Sequence, residues 1–298
     1  MTERSCSDSS GKGKGHAARR FRLLRRLGFR RRHLGLPVIR ELIRPFARSG
    51  LIGRDFVAGA ELDTIFRVRV GDCQFQYAVA SDDPIGSILY WYSWKAWEAG
   101  VVNAFRTWLP GARRILDVGA NTGFYTLLGA ANGSEVTAFE PNPATFSRLN
   151  RNVVLNHFEQ RCRLFQVAAG SKNGRIAFYL HDDPTCCSAV RIAPKQIMVP
   201  ADRIDALVPL DERTDLVKMD VEGYEDHGLL GMERVIQDSH PKIIFECFRT
   251  CTAQVVEALL KGHGYRLMWI AADGLLVPID RIAVDRYRHG QHNFAACV

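Results

Sequence analysis

One segment, RRILDVGANTGFYTLLGA at residues 113–130, constrains the fold of this 298-residue chain more than any other. A short apolar run ends in Asp117, a loop of small residues runs from Gly119 to Gly123, and an apolar helical pattern begins at Thr122. A strand that turns through glycines into a helix is typical of nucleotide-binding α/β folds, where the ligand lies at the carboxyl end of the strand. The segment therefore predicts a strand, a ligand-binding loop and a helix.

Similar units recur along the chain. A hairpin is predicted around Gly71-Asp72, one helical stretch over 83–109, another over 224–236, and a short amphipathic helix that Pro45 ends. The segments predicted as strands of the central sheet are RILDV, EVTAF, RLFQVAA, DLVKMD and PKIIFEC, closed by YRLMWI, GLLVPID and HNFAACV as antiparallel strands. Apolar strands that alternate with helices indicate an α/β fold with a parallel sheet covered by helices on both faces.

The positive charge is concentrated at the N-terminus. Residues 1–50 contain 14 basic and three acidic residues, whereas the remainder contains 26 basic and 29 acidic residues. We predict a basic, largely disordered extension with a short helix over 1–50 and a catalytic domain over 51–298. Arginines interleaved with Phe21, Leu24 and Leu27 favour weak contact with an anionic membrane or a polyanion, and a solvated extension is the alternative.

Other classes of protein are disfavoured by what the sequence lacks. No apolar run approaches the ~20 residues that a membrane-spanning helix needs. The eight cysteines form no CxxC pair, so no zinc site is predicted. We therefore expect a reduced, cytoplasmic protein. Peripheral association with a membrane through the basic N-terminal segment is the further expectation.

The glycine pattern of the loop narrows the choice of ligand. A dinucleotide fold needs glycine at the first, third and sixth loop positions, but counting from Gly119 the third is Asn121 and the sixth is Phe124. The charge of Asp117 would also oppose a pyrophosphate. A ligand with a cationic centre and no phosphate fits better, and S-adenosylmethionine is such a ligand. Twenty-one residues after Gly119, Glu140 ends the next strand, where a carboxylate can accept hydrogen bonds from ribose hydroxyls.

Three acids follow the fourth and fifth strands. We expect Asp220, Glu222 and Glu246 to meet at one rim of the sheet, where they could supply a general base, hold a substrate hydroxyl or bind a divalent cation. Asp220 is the favoured base, because Glu222 would also suit the N-terminus of the next helix. Two histidines are weaker candidates: His227 on that helix, and His181 beside Asp182-Asp183 in an insertion.

The segments ILDVGANTGFYT, AFEPNP, DLVKMDVEGYE and IIFEC, in this order, resemble the FkbM family of S-adenosylmethionine-dependent methyltransferases. The resemblance spans residues 83–298 and implies a class I methyltransferase fold, a Rossmann-like seven-stranded sheet with an antiparallel last strand, here with helical and hairpin additions at the N-terminus. It also implies O-methylation of sugar or natural-product hydroxyls. The residues matching the cofactor motifs are Asp117, Gly119, Ala120, Asn121, Gly123 and Glu140. Lys218, Asp220, Glu222 and Gly223 match the fourth-strand motif, and Glu98 and Asp205 match less certain positions.

The acceptor remains open at this point. The favoured reading is an O-methyltransferase acting on a small-molecule or saccharide hydroxyl. The alternative is an RNA methyltransferase that uses the arginine-rich extension as its electrostatic footprint. Against RNA, the chain has neither an Asn/Asp-Pro-Pro-aromatic run to receive a planar amino group nor a Pro-Cys pair.

Overall fold

The computed structural model describes residues 36–53, 57, 60–181, 187–286 and 292–298. Most of the predicted basic extension therefore lies outside the described residues, as do Asp182 and Asp183. The chain divides into two compact units, one of Met1–Thr64 with Val79–Ser93 and one of Ile65–Ala78 with Trp94–Val298. The domain boundary at residue 51 stays a prediction.

The first unit contains helices α1 (Pro37–Arg48) and α2 (Pro84–Tyr92). The prediction that Pro45 ends the first helix is wrong, because the helix continues to Arg48. A proline removes the hydrogen bond of its own nitrogen and crowds the preceding turn, but the residues after it keep their N–H groups. The Ser49 N–H still donates to the Pro45 carbonyl at 3.0 Å, so the helix continues for one more turn.

The helical stretch predicted over 83–109 is also interrupted. Helix α2 begins after Asp83, whose side chain accepts a hydrogen bond from the Gly86 N–H at 2.8 Å. It ends at Ser93, whose φ of 71° is in the left-handed region and stops helical propagation.

The second unit carries most of the regular structure. Its helices are α3 (Ala99–Trp108), α4 (Phe124–Ala131), α5 (Pro143–Leu155), α6 (Ile204–Leu207), α7 (Glu225–Leu230), α8 (Glu233–Ser239) and α9 (Thr250–Gly262). The strands, of which the end residues Thr64 and Val79 belong to the first unit, are β1 (Thr64–Val70), β2 (Cys73–Val79), β3 (Arg114–Val118), β4 (Glu135–Phe139), β5 (Cys162–Phe165), β6 (Ala168–Ala169), β7 (Gly174–Leu180), β8 (Lys195–Asp202), β9 (Leu216–Met219), β10 (Lys242–Glu246), β11 (Arg266–Ile270), β12 (Leu276–Ile279) and β13 (Asn293–Cys297).

The central sheet has the order β12-β11-β13-β10-β9-β3-β4-β5. Strands β5, β4, β3, β9 and β10 are parallel, and β13 is antiparallel to both β10 and β11. This arrangement confirms the class I methyltransferase fold. Within the described residues the sheet has eight strands rather than seven, because β12 folds back on β11 as an antiparallel edge strand after the turn at Gly274, where φ is 93°.

Two smaller sheets accompany the central one. Strands β1 and β2 form the predicted hairpin, and the insertion after β5 forms a sheet with the order β6-β8-β7. None of the helices in the described ranges has the length and apolarity needed to cross a lipid bilayer.

Helices cover both faces of the central sheet. One face packs on a large apolar core that includes Val217 and Phe245 of the sheet together with buried side chains of α7, α8 and α9. On the opposite face α4 packs closely, since a Cβ on Gly129 would lie 2.9 Å from Ile115 Cδ1. The predicted helix over 224–236 is two helices, α7 and α8, which are separated at Gly231. The Gly170 backbone passes close to this point, since a Cβ on Gly231 would lie 2.2 Å from the Gly170 carbonyl oxygen.

Candidate active site

The loop between β3 and α4 is held by backbone hydrogen bonds to the neighbouring strand. The N–H groups of Gly119 and Ala120 both donate to the Phe139 carbonyl, at 2.9 and 3.0 Å. Gly119 and Gly123 have φ values of 81° and 97°, and Asn121 has a φ of 51°. Gly119 and Gly123 need to be glycine, because residues that carry a side chain rarely adopt such positive φ values.

Gly119 also brings this loop into contact with the segment after β9. A Cβ on Gly119 would lie 1.8 Å from the Asp220 carbonyl oxygen. In addition, the Asp220 N–H donates to the Val118 carbonyl at 2.8 Å. The predicted cofactor loop and the predicted catalytic acid are therefore adjacent, at the carboxyl ends of β3 and β9.

Glu140 lies just after β4 and fixes the loop from the other side. Its carboxylate accepts hydrogen bonds from the backbone N–H groups of Asn121 at 2.9 Å and Asn142 at 2.8 Å. The side chain is buried, and this burial raises its pKa to about 7. A carboxylate has about four acceptor sites, so two remain beyond these bonds.

Asp117, which lies near the end of β3, is also buried. It accepts a hydrogen bond from Thr126 Oγ1 at 2.5 Å, and burial raises its pKa to about 6. The bond ties the end of β3 to the first turn of α4, which orients the loop between them.

A row of polar side chains crosses one face of the sheet. Asp117 is paired with Lys218 on β9, Lys218 with Ile244 on β10, and Glu246 with Asn293 on β13. Because side chains alternate along a strand, Asp117, Lys218, Glu246 and Asn293 lie on the same face. The other face presents the apolar core.

Lys218 is the centre of this row. Its side chain is 1% exposed, and its Nζ lies 3.1 Å from Asp220 Oδ2 and 5.2 Å from the centroid of the Tyr125 ring. Burial alone would lower the pKa of Lys218, but the charges of Asp220 and Glu98 outweigh it and raise that pKa above its usual value. A buried ammonium group of this kind is stable only with such partners.

Glu98 extends the row from the segment before α3. It accepts a hydrogen bond from Tyr125 Oη at 3.0 Å, and burial of the carboxyl group raises its pKa to about 7. The structure therefore places Glu98 beside the candidate site.

The acids Asp220, Glu222 and Glu246 come together as the strand order predicted. Each has a carboxylate oxygen within 4.8 Å of one from each of the other two. Glu222 has a φ of 54°, a strained conformation for a residue other than glycine. Burial and the charges of Asp220 and Glu222 raise the pKa of Glu246 well above its usual range, which favours the neutral carboxyl group.

Two contacts from the insertion were missed by sequence reasoning. Arg191 Nη1 lies 3.1 Å from Glu222 Oε2, and Ser188 Oγ donates to the Glu222 carbonyl at 2.8 Å. Both residues lie in an irregular stretch between β7 and β8, where no periodic pattern signals their position.

Asn293 was also missed. It is 7% exposed, and its Oδ1 has no hydrogen-bond partner in the described part of the chain. The Cys247 N–H donates to the His292 carbonyl, so Glu246 and Asn293 form the next, non-hydrogen-bonded pair, in which the side chains are closest. The one signal in the sequence is a polar residue opening an otherwise apolar strand.

The remaining candidates have other partners. His227 Nδ1 lies 2.9 Å from Ser171 Oγ, and its ring stacks on Tyr224 with centroids 4.2 Å apart. His181 Nε2 lies 2.9 Å from the Arg191 carbonyl. Asp205 accepts hydrogen bonds from the first N–H groups of α8, so it caps that helix.

The buried acid Glu225 gives a test of these electrostatics. Its Oε1 accepts a hydrogen bond from the Gly223 N–H at 2.9 Å, and its Oε2 has no partner among the described residues. Burial raises the pKa of Glu225 to about 8. The folded state therefore holds a proton that the unfolded state releases near pH 4.5, and stability falls as the pH rises from there to about 8.

We expect Glu225→Gln to remove this part of the pH dependence. The free energy of unfolding of the variant relative to the wild type should rise by about 1–3 kcal/mol between pH 4 and pH 8.5, measured by urea denaturation. The exposed Glu233→Gln is the matched control and should show no such rise. Equal pH dependence of the Glu225→Gln variant and the wild type would contradict the raised pKa.

Comparison with known proteins identifies a family. The methyltransferase FkbM domain matches residues 117–267, just over half of the chain and the whole of the loop and acid rim. A solved FkbM methyltransferase from Methylobacillus flagellatus is similar at 18% identity and a TM-score of 0.44, over 63% of this chain and only 44% of that one. A SAM-dependent methyltransferase from Agrobacterium tumefaciens is similar at 12% identity and a TM-score of 0.44, over 79% of this chain and 70% of that one. Comparison with curated proteins gives no match.

Proposed function

Because this chain belongs to the FkbM methyltransferase domain family, we propose that it transfers the methyl group of S-adenosylmethionine to a hydroxyl of a sugar, a glycan or a natural product. The observation that carries this proposal is the contact between Gly119 and the Asp220 backbone. A ligand held by the loop would lie next to the one group of acids that the described site brings together.

The loop residues fit S-adenosylmethionine better than a phosphate-bearing nucleotide. The proposed cofactor residues are Asp117, Gly119, Ala120, Asn121, Gly123 and Glu140. The buried carboxylates of Asp117 and Glu140 oppose a phosphate and favour a ligand with cationic groups and hydroxyl donors. Glu140 has acceptor sites to spare for the ribose.

The acid rim supplies the proton chemistry. S-adenosylmethionine, as co-substrate, offers a methyl group on a positively charged sulfur, which keeps the bonding electron pair when the methyl leaves. The acceptor oxygen forms the new bond to carbon, and its proton passes to the Asp220 carboxylate. The Lys218 ammonium group, 3.1 Å from the Asp220 carboxylate, keeps that carboxylate in place and balances its negative charge.

Glu246 and Asn293 suit the acceptor. A neutral carboxyl group donates a hydrogen bond as well as accepting one, and the Asn293 amide oxygen is without a partner in the described residues. Together they match a hydroxyl group, which also donates one hydrogen bond and accepts others. We propose that they orient the acceptor for transfer.

A divalent cation between Asp220, Glu222 and Glu246 is the alternative role for the rim. Oxygen ligands at this spacing suit a hard cation. However, the negative charge of Asp220 is already balanced by Lys218, and that of Glu222 is already balanced by Arg191. We therefore favour a metal-independent proton transfer.

An acceptor screen tests the proposed function. The purified protein is incubated with methyl-labelled S-adenosylmethionine and with separate saccharide, small-molecule and RNA fractions of a cell extract. We expect label in a saccharide or small-molecule fraction. Label in RNA alone would favour the second reading, and failure to bind S-adenosylmethionine at all would overturn the proposal.

Glu140→Ala tests the ribose contact. We expect the calorimetric affinity for S-adenosylhomocysteine to fall by about 1.5–3 kcal/mol, roughly 10- to 150-fold, because a charge-assisted contact is lost. The exposed Glu159→Ala is the control and should bind as the wild type does.

Glu140 also holds the loop through Asn121, so a second ligand separates the two roles. The 2′-deoxy analogue of S-adenosylhomocysteine should bind the wild type more weakly than the parent ligand. In the Glu140→Ala protein the two ligands should bind alike. If both proteins lose the same affinity with the deoxy analogue, Glu140 does not contact that hydroxyl.

A further inference from the structure

Helix α1 presents part of its apolar surface to solvent. Val38, Leu42 and Phe46 follow one another at four-residue steps, and they are 73%, 66% and 53% exposed. Residues at this spacing lie on one side of a helix and form a stripe. Leu36 and Leu51, just beyond the two ends, are exposed as well.

The inner side of the same helix carries both apolar and polar groups, since Ala47 is buried and Ile39 and Ile43 are half-buried there. Arg44 Nε donates to the Tyr90 carbonyl at 3.0 Å, and the Arg44 guanidinium lies 4.5 Å from the Tyr90 ring. Tyr90 Oη donates to Glu41 at 2.6 Å, and Arg40 donates to Thr64 Oγ1 at 2.8 Å. These bonds fix the rotation of α1 about its axis and leave the stripe exposed.

An ordinary surface helix packs its apolar side on the core. Helix α1 does so with Ile39, Ile43 and Ala47, but it leaves a second apolar stripe exposed. The packing of Ala47 and the hydrogen bonds of Arg40 and Arg44 hold the helix in this rotation. A solvent-exposed apolar stripe held in this way is typical of an interaction surface.

The charge of the adjoining chain indicates what covers the stripe. Residues 1–35, which lead directly into α1, contain 11 basic and two acidic residues. A second copy of the chain would bring two such basic segments together, which their repulsion disfavours. RNA would attract the basic residues but offers no apolar layer for the stripe. An anionic lipid surface offers both acyl chains and negative charge.

We propose that α1 lies flat on an anionic membrane, with Val38, Leu42 and Phe46 at the boundary between headgroups and acyl chains. The basic residues before the helix strengthen this binding through the lipid charge. The proposal is independent of the methyl-transfer function, since it rests on the first unit of the chain alone.

Vesicle co-sedimentation of the full chain tests the proposal. Vesicles of phosphatidylcholine with 30% phosphatidylserine are compared with pure phosphatidylcholine. We expect the wild type to bind the anionic vesicles at least ~10-fold more strongly, and to lose most of this preference in 0.5 M NaCl, where surface charges are screened. Equal or absent binding to the two vesicle types would overturn the proposal.

A double variant, Leu42→Gln with Phe46→Gln, isolates the stripe. We expect its partition coefficient on anionic vesicles to fall at least ~10-fold. Leu210→Gln with Leu275→Gln is the matched control, since these leucines, at 83% and 64%, are as a pair more exposed than Leu42 and Phe46 and lie in the other unit. The thermal midpoint and S-adenosylhomocysteine affinity of both variants should stay at wild-type values, which verifies folding without vesicles.

The other outcomes contradict a membrane-bound α1. Wild-type binding by the Leu42→Gln, Phe46→Gln variant would mean that the basic extension acts alone. Self-association that this variant abolishes, without vesicle binding by the wild type, would assign the stripe to a second copy. Stronger binding to neutral vesicles after deletion of residues 1–34 would show that the extension itself covers the stripe.

Discussion

Replacing Asp220 by Asn is expected to lower the methyl-transfer rate at least ~100-fold, with the affinity for S-adenosylhomocysteine close to that of the wild type. The amide keeps the shape of the side chain and an oxygen for Lys218 Nζ, which lies 3.1 Å from the carboxylate. It cannot take up the proton of the acceptor hydroxyl. The rate is measured on the acceptor fraction that the wild type labels.

Asp226→Asn is the matched control. Asp226 accepts a hydrogen bond from the His227 N–H at the start of α7 and is not among the three clustered acids. We expect its substitution to change the rate by no more than a few-fold. If the rate of the Asp220→Asn variant is also within a few-fold of the wild-type rate, Asp220 does not act in the mechanism.

A chelator separates the two proposed roles of the rim. If Asp220 acts as a base, the wild-type rate is insensitive to EDTA. Loss of the rate in EDTA and its recovery with Mg²⁺ would instead assign Asp220, Glu222 and Glu246 to a cation. The same substitution would then act through lost metal affinity.

The parts of the site that could be predicted from the sequence lie at strand ends. Asp117, Glu140, Asp220 and Glu246 each end or directly follow an apolar run, and parallel strands bring such ends to one edge of a sheet. The order of the strands then places Asp220 and Glu246 side by side. This required only the alternation of apolar strands and helices.

Other parts depend on long-range contacts that local patterns do not encode. Arg191 reaches Glu222 from 31 positions away, out of an irregular segment. Asn293 joins the site through its register with Glu246 across a strand that enters the sheet last in the chain. The break between α7 and α8 depends on the Gly170 backbone passing close to Gly231, which helical periodicity cannot reveal.

The glycines of the loop correctly indicated a close backbone approach, and the structure shows a second reason for them. The sequence indicated that Gly119 lets the backbone approach a ligand. In the structure the missing Cβ also makes room for the Asp220 carbonyl, and the Cβ that Gly123 lacks would lie 2.6 Å from Leu149 Cδ1. These glycines thus position the loop against its own protein before any ligand binds.

Gly119→Ala is therefore expected to have the largest effect on folding and on cofactor binding. The new Cβ would lie 1.8 Å from the Asp220 carbonyl oxygen, and the φ of 81° is unfavourable for alanine. Conformational strain of about 1–2 kcal/mol adds to about 1–3 kcal/mol from overpacking, so the free energy of unfolding should fall by about 2–5 kcal/mol. Relief of the clash moves the loop away from Asp220, and calorimetric binding of S-adenosylhomocysteine should become undetectable.

Gly264→Ala separates the clash from the strain. Gly264 has nearly the same φ, 83°, but an added Cβ there meets no atom within 4 Å. This control should lose only the strain of about 1–2 kcal/mol in urea denaturation and should bind the ligand with wild-type affinity. Equal losses of stability in the two variants, with binding retained in both, would mean that the loop does not rest on the Asp220 backbone, and the proposed adjacency of cofactor and base would fall with it.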